Sequence, residues 1–430
     1  DVTVTALQWQ AADDGDDDGV PDTGADLLDN GATPNFGNGT PAPTVDIAHT
    51  LSAPTGPGAV GGTLTGGSSV GGFGSAGGSG GGATTTQLSF DEVGILALTA
   101  DLTDYLGEPG ADVTGTRSDI GRFIPARLEA AGNQPELAPF CGLAPGFTYL
   151  GQSFGYATDP RVTITAYNAA DNVTENYGGA FWKLAVPAEF PNRTYTDQSG
   201  AAATLSDDAT NTTIAWADGG ADGFGGSDTA TITGEQITYE RNGLEQPFSA
   251  AVDLVIPAVD LTDVDGVCNA PSGICNTSAG TGDAFTFDGD SATGQQPIRG
   301  TRLRFGRLRL DDTYGPEIAP VVQRWRLEYW TGTTWALNGD DTSCTVLPLL
   351  SEVELDPDDA PGSGNEVDGT READLSSGDG TTEIETALDV MSGSISFIGG
   401  VADVRYEAPG AGNRGWIETR ALLADDFPHL

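Results

Sequence analysis

The chain has 430 residues, 62 of them glycine, and its 18 basic and 63 acidic side chains leave a net charge of −45. That charge excludes nucleic acid and anionic lipid as partners, because so acidic a surface repels phosphate. No apolar stretch approaches the roughly 20 residues of a membrane-spanning helix, and the length allows roughly two to four domains.

The positive charge consists of Lys183 and seventeen arginines. A Lys-poor acidic surface stays hydrated where counterions screen its repulsion, which reads as adaptation to strong salt; arginine-rich codon usage is the plainer account. The start at Asp1, with no apolar leader, reads as a processed product.

Taken in chain order, β-branched and alternating stretches predict strands over 2–8, 93–100, 161–167, 229–239, 301–310 and 394–405, bounded by Gly, Asp, Asn or Pro. Short helices are expected only near 124–131 and 384–391. Many short, punctuated strands predict an all-β chain of tandem immunoglobulin-like antiparallel β-sandwich domains. Three modules are expected: 1–120, with an acidic insertion (10–29) and a Gly-rich segment (56–82); 121–256; and 257–430.

An internal repeat supports two related modules. Val2-Thr3-Val4-Thr5-Ala6 recurs as Val162-Thr163-Ile164-Thr165-Ala166, and Thr33-Pro34-Asn35-Phe36-Gly37 as Thr174-Glu175-Asn176-Tyr177-Gly178. Each copy runs strand, loop, Asn-aromatic-Gly turn, with extra residues between the marks in the first copy.

Those extra residues include Asp13-Asp14-Gly15-Asp16-Asp17-Asp18-Gly19-Val20-Pro21-Asp22. Alternate carboxylates at Asp14, Asp16 and Asp18, with Asp22 beyond, suit one hard cation, while Gly19 permits a sharp turn. Ala25 stands where an EF-hand places its Glu, so the loop looks more like the calcium loops of thrombospondin type 3 repeats. Structural calcium is the expected cofactor, against a merely solvated acidic loop.

Residues 56–82 hold fourteen glycines interrupted by Val60, Leu64, Val70 and Phe73. A flexible linker and a loosely paired β segment both fit. The GxGxxG match at Gly72–Gly77 and the GxSxG match at Gly67–Gly71 lack the strand–helix context and the histidine their chemistry requires, so they reflect composition.

The four cysteines, Cys141, Cys268, Cys275 and Cys344, suggest an oxidising compartment. Cys268 and Cys275 bracket a short loop that a local disulfide can close, which leaves Cys141 for Cys344. Three connectivities are possible, and a zinc site is the rival, although both histidines lie far away in sequence.

Seven arginines fall within 299–326, among them Arg302, Arg304, Arg307, Arg309, Arg324 and Arg326. Leu303 and Phe305 share one face of the predicted strand; after Gly306 the parity reverses, with Leu308 and Leu310 inward, which predicts a bulge there. A cationic sheet face docking an acidic neighbour, such as another copy of this chain, is one reading; pairing with local carboxylates such as Asp311, Asp312 or Glu328 is the other. Trp325, Trp330 and Trp335 fit core and edge packing better than a carbohydrate platform. The acidic runs 218–228, 263–265, 288–290 and 352–359 fit turns, which favour Asp and Gly for backbone reasons.

Several segments carry a family likeness: Asp91–Leu98 running to Tyr105-Leu106-Gly107, Gly121-Arg122-Phe123-Ile124-Pro125, Phe147-Thr148-Tyr149-Leu150, and Phe305–Leu310 before Tyr314-Gly315. Glu328-Tyr329-Trp330, Asn338, Asp341–Thr345 and Pro409-Gly410-Ala411-Gly412-Asn413 follow. This order resembles the large C-terminal region of MshQ-type proteins, named for biogenesis of a type IV pilus. The resemblance implies an exported surface or pilus-associated protein of a Gram-negative bacterium, and it supplies no catalytic residues.

The expected function is therefore non-enzymatic: an extracellular protein of a pilus or surface fibre, acting in adhesion or assembly. The alternative is a self-assembling filament subunit. Expected partners are pilus or filament subunits, including copies of this chain, and a surface glycan, with no nucleic acid.

Overall fold

A computed structural model describes residues 1–18, 21–73, 82–142, 146–184, 190–217, 224–271, 273, 275, 282–287, 297–348, 353–356, 372–374, 381–383, 394–421, 423 and 429–430. Among these the chain is all-β, its sheets are mainly antiparallel, and no helix exceeds four residues.

The N-terminal part pairs Val2–Thr5 with Ala83–Thr86. Beside this pair stands a four-stranded sheet in the order Ser69–Val70, Val45–Ala53, Gly94–Leu102, Val113–Phe123. Two small apolar clusters hold it, one of Phe36, Val45 and Phe73, the other of Ile47, Val70 and Leu98. Within the described part of the Gly-rich segment, Leu64–Thr65 and Ser69–Val70 form short paired strands, and Val70 and Phe73 are buried. Residues 74–77 of the GxGxxG match lie outside the described residues.

The central part holds the largest core, running from Val93 to Phe305. Its main sheet orders Thr213–Trp216, Ser227–Thr233, Arg161–Tyr167 and Arg127–Gly132. Along Arg161–Tyr167 the alternation is realised: Val162, Ile164 and Ala166 are buried, and their neighbours are not. The helix expected near 124–131 is instead the strand Arg127–Gly132, which pairs with Val162–Tyr167 and buries Leu128. Its helix-forming Leu, Glu and Ala yield to the ladder hydrogen bonds of a neighbouring strand, as weak local propensity does when tertiary pairing opposes it. The second expected helix, 384–391, lies outside the described residues.

The C-terminal sheet centres on Val321–Trp330, flanked by Gly306–Leu310 on one edge and, on the other, by Val401–Tyr406 and Trp335–Leu337 along successive stretches. Its core gathers Trp325, Leu327, Leu347, Ile395, Phe397, Ala402, Val404 and Tyr406.

The repeat is structural in detail. Val2↔Thr86 through Thr5↔Ala83 in the first copy has the register of Val162↔Ala230 through Thr165↔Ser227 in the second. In both, the alanine closing the strand accepts from the threonine of the turn motif, Thr33 N–H to Ala6 O at 2.8 Å and Thr174 N–H to Ala166 O at 3.0 Å. In both, the same alanine donates to a glycine preceding the partner strand, Gly82 at 2.6 Å and Gly226 at 2.8 Å. The turn aromatics Phe36 and Tyr177 are buried. A Cβ on Gly82 or Gly226 would stand 2.9 or 2.4 Å from the carbonyl oxygen of Thr33 or Thr174, so the close approach demands glycine at both places.

Candidate functional site

The segments singled out by sequence converge on two junctions between parts of the chain, on the acidic loop and on the Arg-rich strands.

At the first junction Glu92 is buried where the N-terminal sheet meets the central core. Its carboxylate accepts backbone N–H groups of Val93 (3.1 Å), Glu175 (2.9 Å) and Asn176 (3.2 Å). Burial pushes its pKa above the ordinary carboxylate range, and these backbone donors pull against that shift. Asn176, from the second copy of the repeat, donates to the carbonyls of Val60 (2.7 Å) and Val93 (3.0 Å) and accepts the Val60 N–H (2.8 Å). Its counterpart Asn35 is exposed. One motif residue has become the pin between the two copies.

At the second junction the sheet changes partner. Arg302–Arg304 runs parallel to Phe147–Tyr149 and antiparallel to Phe248–Ser249, whereas Gly306–Leu310 belongs to the C-terminal sheet. Leu303 and Phe305 enter the central core, while Leu308 and Leu310 pack on the C-terminal one. The parity reversal at Gly306 is real, but a switch of sheets produces it rather than a bulge within one strand. A Cβ on Gly306 would lie 2.5 Å from the Tyr149 ring.

Around this switch lies a buried polar network. Asn338 donates to the Tyr149 hydroxyl (2.6 Å), which donates to Asp341 (3.0 Å), and Asp341 also accepts from the Thr345 hydroxyl (2.6 Å) and N–H (3.1 Å). The Arg304 guanidinium donates to Asn338 and Asp340 and lies over the rings of Phe147 and Tyr329, at 4.6 and 4.8 Å. Burial and the neighbouring Asp341 carboxylate push the Tyr149 hydroxyl well above its usual range. The Cys141–Cys344 disulfide, joining residues 203 apart, staples the network on one side, and Leu430 packs beside it. The Cys268–Cys275 disulfide is also present.

The Arg-rich strands serve mainly their own sheet. Arg304, expected at the surface, is only 4% exposed. Arg307 binds Glu328 (2.6 Å) and caps the Trp335 ring at 3.9 Å. Arg309 reaches Asp311 (3.1 Å) and Glu328 (3.6 Å), Arg326 binds Asp311 (2.8 Å) and Arg324 binds Asp403 (3.0 Å). Arg302 is exposed. Trp325 is buried, and Trp330 and Trp335 pack edge-on to each other and against the central core.

In the acidic loop, carboxylate oxygens of Asp14, Asp16 and Asp18 lie within 4.8 Å of one another, with Asp14 buried and the other two exposed. Asp22 is turned away to accept the Gly15 N–H at 2.9 Å, and Asp13 accepts from Gln10 N–H and Asn30 Nδ2, both at 2.8 Å. Oxygen ligands at this spacing suit calcium or another hard cation. In the 263–265 run Asp263 caps a turn, accepting the N–H groups of Asp265 (2.9 Å) and Val267 (2.8 Å) and the Tyr177 hydroxyl (2.9 Å).

Sequence reasoning missed the roles of Glu92, Asn176, Tyr149 and Asp341. Their signals were faint: Glu92, Tyr149 and Asp341 lie within segments that carried the family likeness, and Asn176 within the turn motif of the repeat. It also missed a buried cluster in which Glu235 accepts from Arg193 and Tyr195, and Tyr195 meets Tyr156.

Fold and junctions define a disulfide-stapled all-β protein of several modules, its parts joined by buried polar contacts. The chain belongs to the DUF6701 family. Its residues 1–87 match the family's second domain, 92–289 the third and 304–428 the fourth. No curated protein and no solved structure matches it.

Proposed function

We propose that this chain is a non-enzymatic extracellular or cell-surface protein of a Gram-negative bacterium, associated with a pilus or surface fibre and acting in adhesion or pilus assembly. The observation that carries the reading is the Cys141–Cys344 disulfide, set at the switch between the central and C-terminal sheets. A covalent bond across a module junction transmits tension that non-covalent packing alone would release, and it needs an oxidising compartment to form. The absence of any helix long and apolar enough to cross a membrane, among the described residues, is compatible with export. The ordered likeness to MshQ-type proteins supplies the association with a pilus. Tandem immunoglobulin-like sandwiches are the architecture that suits this role, and the repeated strand pair is the feature that supports it. Calcium held by Asp14, Asp16 and Asp18 would stiffen the first module.

A self-assembling filament subunit is the second reading, favoured by the edge strand Val113–Phe123. Its first seven residues are exposed, and among the described residues its outer edge pairs with no strand. Such an edge can accept a strand from a neighbour.

Immunogold electron microscopy on intact cells of the native source tests the main reading: label on fibres or the outer surface is expected, and label confined to the cytoplasm overturns it. For the filament reading, monodisperse monomers at high protein concentration and high salt are the refuting result.

A further inference from the structure

The C-terminal part holds a cleft that neither junction uses. It lies between the loop before strand Val321–Trp330 and the loop after strand Val401–Tyr406, and has a volume of about 750 Å³. Two of its lining aromatics stand in water. Tyr314 is 98% exposed and Trp416 49% exposed, and neither ring stacks on another among the described residues. Rings that size normally bury most of their area in a core, so paired exposure at one cleft calls for an occupant.

The cleft is shaped in advance. The turn Pro409–Asn413 is closed by Asn413 Nδ2 on Pro409 O (2.6 Å) and Asn413 N–H on Gly410 O (3.1 Å). It is tied to the opposite wall by Gly410 N–H on Glu317 O (2.8 Å) and by Arg414 near the Glu317 carboxylate (3.6 Å). Tyr406 anchors the base, its hydroxyl hydrogen-bonded to Gln323 (2.9 Å) and Thr419 (2.8 Å). Little ordering cost therefore remains for binding to meet.

The polar rim selects the chemistry. Of the described residues lining the cleft, three are acidic (Asp312, Glu317 and Glu407) and one, Arg414, is basic, so the lining favours a neutral ligand over an anionic one. Carboxylate and amide oxygens accept hydroxyl protons well, and exposed ring faces suit the C–H face of a pyranose. We propose that this cleft binds a neutral oligosaccharide, with Tyr314 and Trp416 stacking on sugar rings and Glu317 and Asn413 meeting their hydroxyls. Tyr314 and the Pro409–Asn413 turn both belong to segments carrying the family likeness, although no chemistry attached to them there. The inference goes beyond the surface-protein reading: it concerns purified protein, and its outcome does not depend on where the protein resides.

The test is a saccharide microarray probed with the full chain, spanning neutral gluco-, galacto-, manno- and N-acetylglucosamine oligomers with heparin fragments as anionic controls. The best neutral glycan is then titrated by calorimetry, beside an arginine-rich peptide. Retention of at least one neutral oligosaccharide is expected, with affinity about tenfold or more weaker in Tyr314→Ala and in Trp416→Ala. Both side chains are exposed, so both variants should keep the parent melting temperature and circular dichroism. A Trp416→Phe variant, which keeps a stacking face, should recover most of the binding. No retained neutral glycan, retention unchanged in both alanine variants, or binding of the basic peptide in preference to every sugar would each overturn the proposal.

Discussion

Replacing Cys141 and Cys344 together by serine removes the bond across the second junction. The bond closes a loop of 203 residues, against 7 for Cys268–Cys275. Chain entropy gives about 18 cal/mol/K for the longer loop, about 5 kcal/mol at 25 °C, and about 2 kcal/mol for the shorter. The long bond should therefore matter more than twice as much. Urea unfolding followed by tryptophan fluorescence should place the Cys141→Ser/Cys344→Ser midpoint about 1.7 M below the parent for a slope near 3 kcal/mol/M, and the Cys268→Ser/Cys275→Ser midpoint well above that of the first variant. Limited proteolysis should also cut the first variant sooner between the central and C-terminal sheets. The reasoning fails if the short-loop variant loses as much as the long-loop one, or if the junction variant unfolds with the parent.

Gly306→Ala should cost about 1–3 kcal/mol, because its methyl group meets a Tyr149 ring pinned by Asn338 and Asp341; a melting temperature equal to the parent's would show that the ring can move. His429 is held down to about 4, first by burial and then by the Arg241 charge. Its unfolded form takes a proton from about pH 6.5 downward while the folded form does not, so stability should fall by up to about 3 kcal/mol between pH 6.5 and 4. His429→Phe should flatten that part of the thermal-melting profile, and an unaltered slope would remove His429 from the account. Calorimetric titration of the full chain with calcium chloride should show saturable uptake that Asp16→Ala abolishes; no uptake by the parent would leave the acidic loop merely solvated.

What could be read from sequence was local or repeated. The strand at 161–167 was legible because period-two alternation of β-branched residues writes burial directly into residue order. The repeat was legible because both marks, VTVTA/VTITA and Asn-aromatic-Gly, sit on short continuous stretches. Its third mark, Gly82 and Gly226, was not: it depends on an antiparallel register set across dozens of intervening residues, and a lone glycine in a Gly-rich chain carries no signal. The strand at 127–132 shows the converse, a helix-prone stretch overruled by a neighbouring ladder.

The charge shows the same division. Sequence by itself determined the total of −45, the β class and the parity reversal at Gly306, because composition and alternation need no long-range information. Only the tertiary structure decided where the arginines point. Arg302 and Arg304 share a strand face, yet one is exposed and the other buried, because the loop bearing Asn338 and Asp340 covers only Arg304. Arg307, Arg309, Arg324 and Arg326 meet carboxylates brought across the sheet by pairing or by turns. Burial of a charge depends on what folds over it from elsewhere in the chain, and no pattern within the strand records that.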